Sequence, residues 1–197
     1  MIGQFPAALG SAACEQLVQL AAELTGAGPS APAPAWGPAT YVLDRRLQGA
    51  PRTALLEAVQ ACADRLCPPA GNPGVQVYVD TVALTVLRPG DGIEWHADNC
   101  EQDGAGRWVP NACSQRCVSA VLYLNEAFEG GEIVFDQQGL AIRPRTGHLI
   151  AFPSGHRYTH RVEKVRSGSR YALGIWFTAH RWHALLPERY LVAAGGA

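Results

Sequence analysis

The chain has 197 residues, 48% of them hydrophobic and 17% charged, and its 16 Lys+Arg against 17 Asp+Glu leave a formal charge of -1. That length suits one domain with a sizeable core, and that composition excludes a wholly disordered chain. The even charge disfavours non-specific nucleic-acid binding, which needs a basic excess, and no apolar run approaches the roughly 20 residues that cross a bilayer.

The N-terminus, MIGQFPAALGSAACEQL, lacks the basic start and sustained apolar stretch of a secretory signal. The expected location is therefore the cytoplasm, and the six cysteines are expected as free thiols. SAACEQLVQLAAEL carries apolar residues at helical spacing behind Ser11 as N-cap and predicts a helix. Residues 26–40, GAGPSAPAPAWGPAT, are rich in Gly, Pro and Ala and read as an irregular connector. PRTALLEAVQACADRL places Pro51 near a first turn and predicts a second helix.

After PPAGNPG the pattern changes. VQVYV, VALTVLR, CVSAVLYLN, GEIVFD, LAIRP, HLIAF, YTHRVE and RYALGIWFT are short runs rich in β-branched and aromatic residues, mostly separated by turn formers. Many short strands at close spacing indicate a sandwich or barrel. The expected fold is mainly β within an α+β chain: a jelly roll, or double-stranded β-helix, over residues 75–180. Residues 1–70 add helices packed against it, all in one domain, and HRWHALLPERYLV predicts a short helix across the end.

EWHADN, residues 94–99, follows a turn-rich RPGDG. Side chains on a strand alternate with period two, so His96 and Asp98 are expected to point to one side and grip one object. Alone, H-x-D is a weak signal. The candidate third ligand is His160, which opens HRVEKVRSGSR, with Arg170 ten positions later and Ser167-Gly168 as a turn signal between them. Two strands joined by that turn would bring His160 and Arg170 into one cavity. Two histidines and one carboxylate leave half of an octahedral metal's positions free, the donor set of non-haem Fe(II) oxygenases. An arginine behind such a metal can hold a dicarboxylate cosubstrate through a two-pronged charged hydrogen bond.

These motifs resemble the 2-oxoglutarate and Fe(II)-dependent dioxygenases, and within them the prolyl hydroxylase branch. HADNC, SAVLYLNEAFEGGEIVF and GSRYALGIWFT are similar to the catalytic domains of collagen-type prolyl 3-hydroxylases, and HADN, YLN and RYALGIW to the hypoxia-sensing prolyl hydroxylases. The resemblance implies His96, Asp98 and His160 as iron ligands and Arg170 as anchor of the far carboxylate of 2-oxoglutarate. It implies that Tyr123 joins that arginine, that Trp176 lines the same pocket, and that Gly130-Gly131 turns into a strand beside the cosubstrate. Implied cofactors and cosubstrates are Fe(II), 2-oxoglutarate and O2, with ascorbate as an optional addition. The implied reaction is hydroxylation of an unactivated C–H bond with release of succinate and CO2. The implied substrate is an amino-acid side chain, proline or a relative first, free or in a peptide or protein. TVLRPGDGIEW departs from the family: Leu87, Arg88 and Trp95 stand where relatives carry a tyrosine, which points to a differently shaped substrate pocket.

Blander assignments compete. Tyr123 and Trp176 also suit core aromatics, and Arg170 alone suits a surface ion pair. His156 in PSGHRYTH rivals His160 but reads as a solvated loop residue, His148 as a sheet residue, and His180 and His183 as surface. Cys100, Cys113 and Cys117 match no C-x2-C knuckle and read as ordinary thiols, with a zinc site or a disulfide as alternatives. The Gly-rich segment between them follows Asp98 and reads as a lid, with Asn99, Arg107, Trp108 and Asn111 as candidate substrate contacts. The rival functions are a nucleic-acid demethylase of the same fold and a cupin-like metal-binding sensor without turnover. Balanced charge speaks against the first and Arg170 against the second. No membrane contact is expected, and the oligomeric state is left open.

Overall fold

The computed structural model describes residues 1–24, 39–42, 53, 56, 58, 59 and 77–183. Helix α1 (Ser11–Leu24) has the predicted bounds. Its Cys14 amide donates to the Gly10 carbonyl at 3.1 Å, which makes Gly10, one residue before Ser11, the N-cap. Cys14, Leu17, Leu20 and Ala21 recur at helical spacing and are buried.

The strands follow in chain order: β1 (Gly3–Phe5), β2 (Ala39–Val42), β3 (Tyr78–Leu87), β4 (Ile93–His96), β5 (Cys100–Gln102), β6 (Trp108–Pro110) and β7 (Arg116–Tyr123). They continue as β8 (Phe128–Gly130), β9 (Ile133–Phe135), β10 (Leu140–Ile142), β11 (Leu149–Pro153), β12 (His160–Val162), β13 (Val165–Gly168) and β14 (Arg170–Thr178). A major sheet runs β1-β11-β7-β14-β3-β2 and a minor sheet β10-β9-β12-β4, every pairing antiparallel.

Period-two alternation gives the major sheet two distinct faces. Leu84, Val86, Ala120, Leu122, Leu149, Leu173, Ile175 and Phe177 face the helical side and form one core with α1, Ala58 and Val59. Tyr123, Ile150, Phe152 and Ala172 face the minor sheet and meet its Ile133, Phe135 and Ile142 in a second core. Complete burial of Leu84, Leu122, Leu173, Ile175 and Phe177 stabilises the fold by roughly 1.5–3 kcal/mol each in transfer terms. The architecture is the double-stranded β-helix, two facing antiparallel sheets with a helical layer behind one of them.

Several expectations need correction. VQVYV and VALTVLR were expected as separate runs, yet residues 78–87 form the single strand β3. Ala39 and Thr40 belong to β2 rather than to the connector, whose residues 26–38 lie outside the described residues. Of the second predicted helix, Thr53, Leu56, Ala58 and Val59 are described and helical, and the rest lies outside the described residues. Arg181–His183 make a single 3-10 turn, and the remainder of the predicted closing helix lies outside the described residues.

The expected His160–Arg170 hairpin does not form. β12 belongs to the minor sheet, β14 to the major sheet, and β13 between them pairs with β8. His160 and Arg170 still share one cavity, because they look at each other across the gap between the sheets. The segment read as a flexible lid is a β5–β6 hairpin. Its turn is tight because Asp103 Oδ1 accepts hydrogen bonds from the amides of Ala105 and Arg107.

Candidate active site

His96 ends β4, and the chain bends at once, so Asp98 stands beyond the strand and not on it. The bend is pinned by the Asp98 amide, which donates to the Ser154 carbonyl at 3.0 Å. His160 opens β12 and is the register partner of His96. His96 Nε2 lies 3.8 Å from Asp98 Oδ1 and His160 Nε2 lies 3.9 Å from Asp98 Oδ2. The three donor atoms fall within 4.8 Å of one another, the one such group of three among the described residues.

Each imidazole is oriented through its other nitrogen. His96 Nδ1 is 2.8 Å from the Glu94 carbonyl and His160 Nδ1 is 2.9 Å from the Tyr158 carbonyl. A carbonyl only accepts, so each ring carries a proton on Nδ1 and turns its Nε2 towards Asp98. His160 is 5% exposed, and its ring packs on Phe152 at 4.8 Å and Phe135 at 5.5 Å. That burial pushes its pKa down to about 4, with His96 acting in the same direction and the Asp98 carboxylate opposing it. His160 is thus neutral, the form that binds a metal, across the physiological range.

The same cavity, of about 80 Å³, reaches from these three residues to Arg170. Arg170 is 2% exposed, and its Nε donates to the Gly131 carbonyl at 3.1 Å. Gly131, at φ 66°, has room only for hydrogen: a Cβ there would stand 2.8 Å from Arg170 Cδ. The guanidinium carbon sits 5.0 Å over the Tyr123 ring. No carboxylate of the described residues pairs with Arg170, and the fully buried Tyr123 hydroxyl has no hydrogen-bond partner. Burial lowers the Arg170 pKa and raises that of Tyr123. Among the described residues this buried cation has no carboxylate partner and only the Tyr123 ring and hydroxyl beside it, an arrangement suited to an anion supplied from outside.

The other candidates divide between the cavity and its surroundings. Trp176 lines the cavity, but six residues along β14 from Arg170, which at strand rise is about 20 Å. None of Asn99, Arg107, Trp108 and Asn111 lines the cavity. The Asn99 amide donates to the Arg116 carbonyl, Arg107 pairs with Asp103, Trp108 stacks on His156 at 5.6 Å, and Asn111 accepts from the Cys113 amide. His156 lies in a 3-10 turn against Trp108, and His148 packs beside Tyr123. Cys14, Cys100, Cys113 and Cys117 form no disulfide among the described residues.

Sequence reasoning missed the buried Ser119–Ser154 hydroxyl pair, 2.8 Å apart at the cavity wall, and Arg116, whose guanidinium lies 4.4 Å over Trp176. Ser119 was within reach, since it shares the period-two face of Val121 and Tyr123. Arg116 is seven residues from Tyr123, and simple alternation places it on the opposite face.

Two sheets that present two histidines, a carboxylate and an unpaired arginine to one cavity define a class, and residues 82–178 match the model of the 2OG-Fe(II) oxygenase superfamily. Residues 82–178 thus form a 2OG-Fe(II) oxygenase domain. Within it the likeness is to prolyl hydroxylases. Prolyl 3-hydroxylase 2 of Homo sapiens is 41% identical over 91 residues, covering 42% of this chain and 13% of that protein. The chain therefore spans about an eighth of the length of such curated relatives. Among solved structures, the viral collagen prolyl hydroxylase of Paramecium Bursaria Chlorella virus-1, in its 2OG complex, aligns with a TM-score of 0.69 at 16% identity over 91% of this chain and 96% of that one. The prolyl hydroxylase of Trichoplax adhaerens, in complex with a hypoxia inducible factor peptide fragment, gives 0.64 at 19% identity over 95% and 87%. At these identities the structural likeness carries the fold.

Proposed function

We propose that the protein hydroxylates a prolyl residue of a peptide or protein, with Fe(II) held by His96, Asp98 and His160 and 2-oxoglutarate held at Arg170 and Tyr123. The observation that carries this reading is the pairing, in one cavity, of an oriented two-histidine, one-carboxylate set with a buried guanidinium that has no carboxylate partner among the described residues. The donor set suits Fe(II) and leaves coordination positions free. When bound, iron and 2-oxoglutarate together supply the oxidising power: one atom of O2 enters the substrate C–H bond, the other enters succinate, and CO2 leaves.

The remaining tasks fall to the chain. Arg170 and the Tyr123 hydroxyl offer charged and neutral hydrogen bonds to one carboxylate, which fixes the cosubstrate's direction. Ile133, Phe152 and Val162 line the cavity with apolar surface and keep water from the reacting centre. The His96 side chain is 35% exposed while that of His160 is 6% exposed, so the site opens on the His96 side, where an extended chain can approach. Proline as target rests on the relatives, which are named prolyl hydroxylases.

The test incubates the protein with Fe(II), 2-oxoglutarate, O2 and a proline-rich peptide, with free proline as comparator, and reads products by mass spectrometry. The expected result is a peptide heavier by one oxygen on a prolyl residue. Succinate release without a hydroxylated peptide, or with free proline as the sole product, would overturn the assignment.

A further inference from the structure

The major sheet carries two irregularities at one level. In β3 the register with β14 slips so that Trp176 faces Thr81 and Phe177 faces Val79, which leaves Asp80 as an extra residue. In β7 it slips so that Phe177 faces Val118 and Thr178 faces Arg116, which leaves Cys117 as an extra residue. These are β-bulges on both sides of β14, and a bulge re-aims the side chains beside it. Here they bring Asp80 and Arg116 together around Trp176.

Arg116 Nε donates to Asp80 Oδ2 at 3.2 Å, with the two side chains 15% and 6% exposed. Asp80 also accepts from the Thr81 hydroxyl at 2.8 Å and the Gln115 amide at 3.0 Å, and Arg116 Nη2 donates to Thr81 Oγ1 at 3.3 Å. So anchored, the guanidinium lies 4.4 Å from the Trp176 ring centroid. The six-membered ring of the indole rests over Gly174, where a Cβ would stand 2.7 Å from Trp176 Cη2. The indole thus packs against a fixed cation and over a position with no side chain. The Asn99 amide ties the loop after Asp98 to the Arg116 carbonyl at 2.9 Å, so the clamp and the metal loop share a corner.

We propose that Arg116, held by Asp80, is a positioning residue that sets the Trp176 indole and thereby the size of the substrate end of the cavity. This rests on the hydroxylase reading. Arg170 and Trp176 lie six residues apart on one strand, so the cosubstrate's far carboxylate and the indole occupy opposite ends of the cavity. A flat indole at the end away from Arg170 gives a compact apolar ring, such as that of proline, a face to rest on. Once the clamp is released the indole is free to turn, and a substrate is held loosely while cosubstrate binding is untouched.

The test compares wild type with Arg116→Met, Arg116→Lys and Gly174→Ala, using a Pro-Pro-Gly repeat peptide as probe. Expected for Arg116→Met and Gly174→Ala is a peptide KM raised about tenfold or more, a 2-oxoglutarate KM within about twofold of wild type, and a lowered ratio of hydroxylated product to succinate. Arg116→Lys keeps the cation and should recover part of the ratio. Calorimetric titration of the peptide into anaerobic protein with Mn(II) and 2-oxoglutarate should show the same weakening without turnover. Leu84→Ala, in the core on the helical side, supplies a control of lowered melting temperature with an unchanged ratio. An active wild type whose ratio and peptide affinity survive both Arg116→Met and Gly174→Ala overturns the inference alone. So does a ratio that falls equally in Leu84→Ala. A wild type that releases no succinate overturns the hydroxylase reading, and this inference with it.

Discussion

Replacing Arg170 by methionine separates what the buried guanidinium does for binding from what it does for stability. In the folded chain it is 2% exposed, makes one hydrogen bond to Gly131 and has no carboxylate partner among the described residues. Methionine fills similar space, so the fold loses that one charged hydrogen bond, roughly 1.5–3 kcal/mol, and is relieved of a buried charge whose desolvation costs several kcal/mol. The protein without ligands should therefore melt within a few degrees of wild type or above it. The cosubstrate loses a forked pair of charged hydrogen bonds at roughly 1.5–3 kcal/mol each, or about 3–6 kcal/mol, which at tenfold per 1.4 kcal/mol weakens binding by roughly two to four orders of magnitude. The assay is thermal melting under anaerobic Mn(II), with and without 2-oxoglutarate. At a hundred times its Kd the cosubstrate stabilises wild type by about 2.7 kcal/mol, worth roughly 5–11 °C in a chain of this size, and that shift should vanish in Arg170→Met. A variant that keeps the shift would refute the placement of 2-oxoglutarate at Arg170. One that fails to fold would refute the charge argument.

Tyr123→Phe removes a hydroxyl that has no partner in the ligand-free fold, so melting should be unchanged while half-saturation by 2-oxoglutarate rises about tenfold; succinate titration measures it. His160 titrates near 4 when folded against 6.5 unfolded, chiefly through burial, so between those values the unfolded chain binds more protons. The metal-free protein should lose stability as pH falls from 6.5 to 4, and His160→Gln should flatten that part of the denaturation-versus-pH curve. Leu173→Ala, at a fully buried position on the helical side, should cost about 2–5 kcal/mol and lower the melting temperature by roughly 4–20 °C, with the product-to-succinate ratio intact.

The strands of both sheets were legible because their core faces repeat every second residue: Leu173, Ile175 and Phe177 against Ala172, Gly174 and Trp176 is alternation in plain form. The approach of His96, Asp98, His160 and Arg170 was legible as spacing, although for partly mistaken reasons. Asp98 stands past a bend and not on a strand, and Arg170 meets His160 across two sheets and not through a hairpin. Sheet membership depends on long-range pairing, which local pattern does not encode. β1 and the β5–β6 hairpin are three-residue pieces too short to show a period. The bulges at Asp80 and Cys117 interrupt the period itself, which is why Arg116 fell on the wrong face and its contact with Trp176 was not anticipated.

The central claim is tested most directly by counting succinate and hydroxylated prolyl residues in the same reaction, in wild type and in Asp98→Ala, with Fe(II), 2-oxoglutarate, O2 and a proline-rich peptide. The account expects the two products in equal amounts from wild type, both dependent on added iron, and neither from Asp98→Ala, which should keep the wild-type fold by circular dichroism. Hydroxylated peptide formed by Asp98→Ala at the wild-type rate, or formed by wild type without succinate, would contradict it.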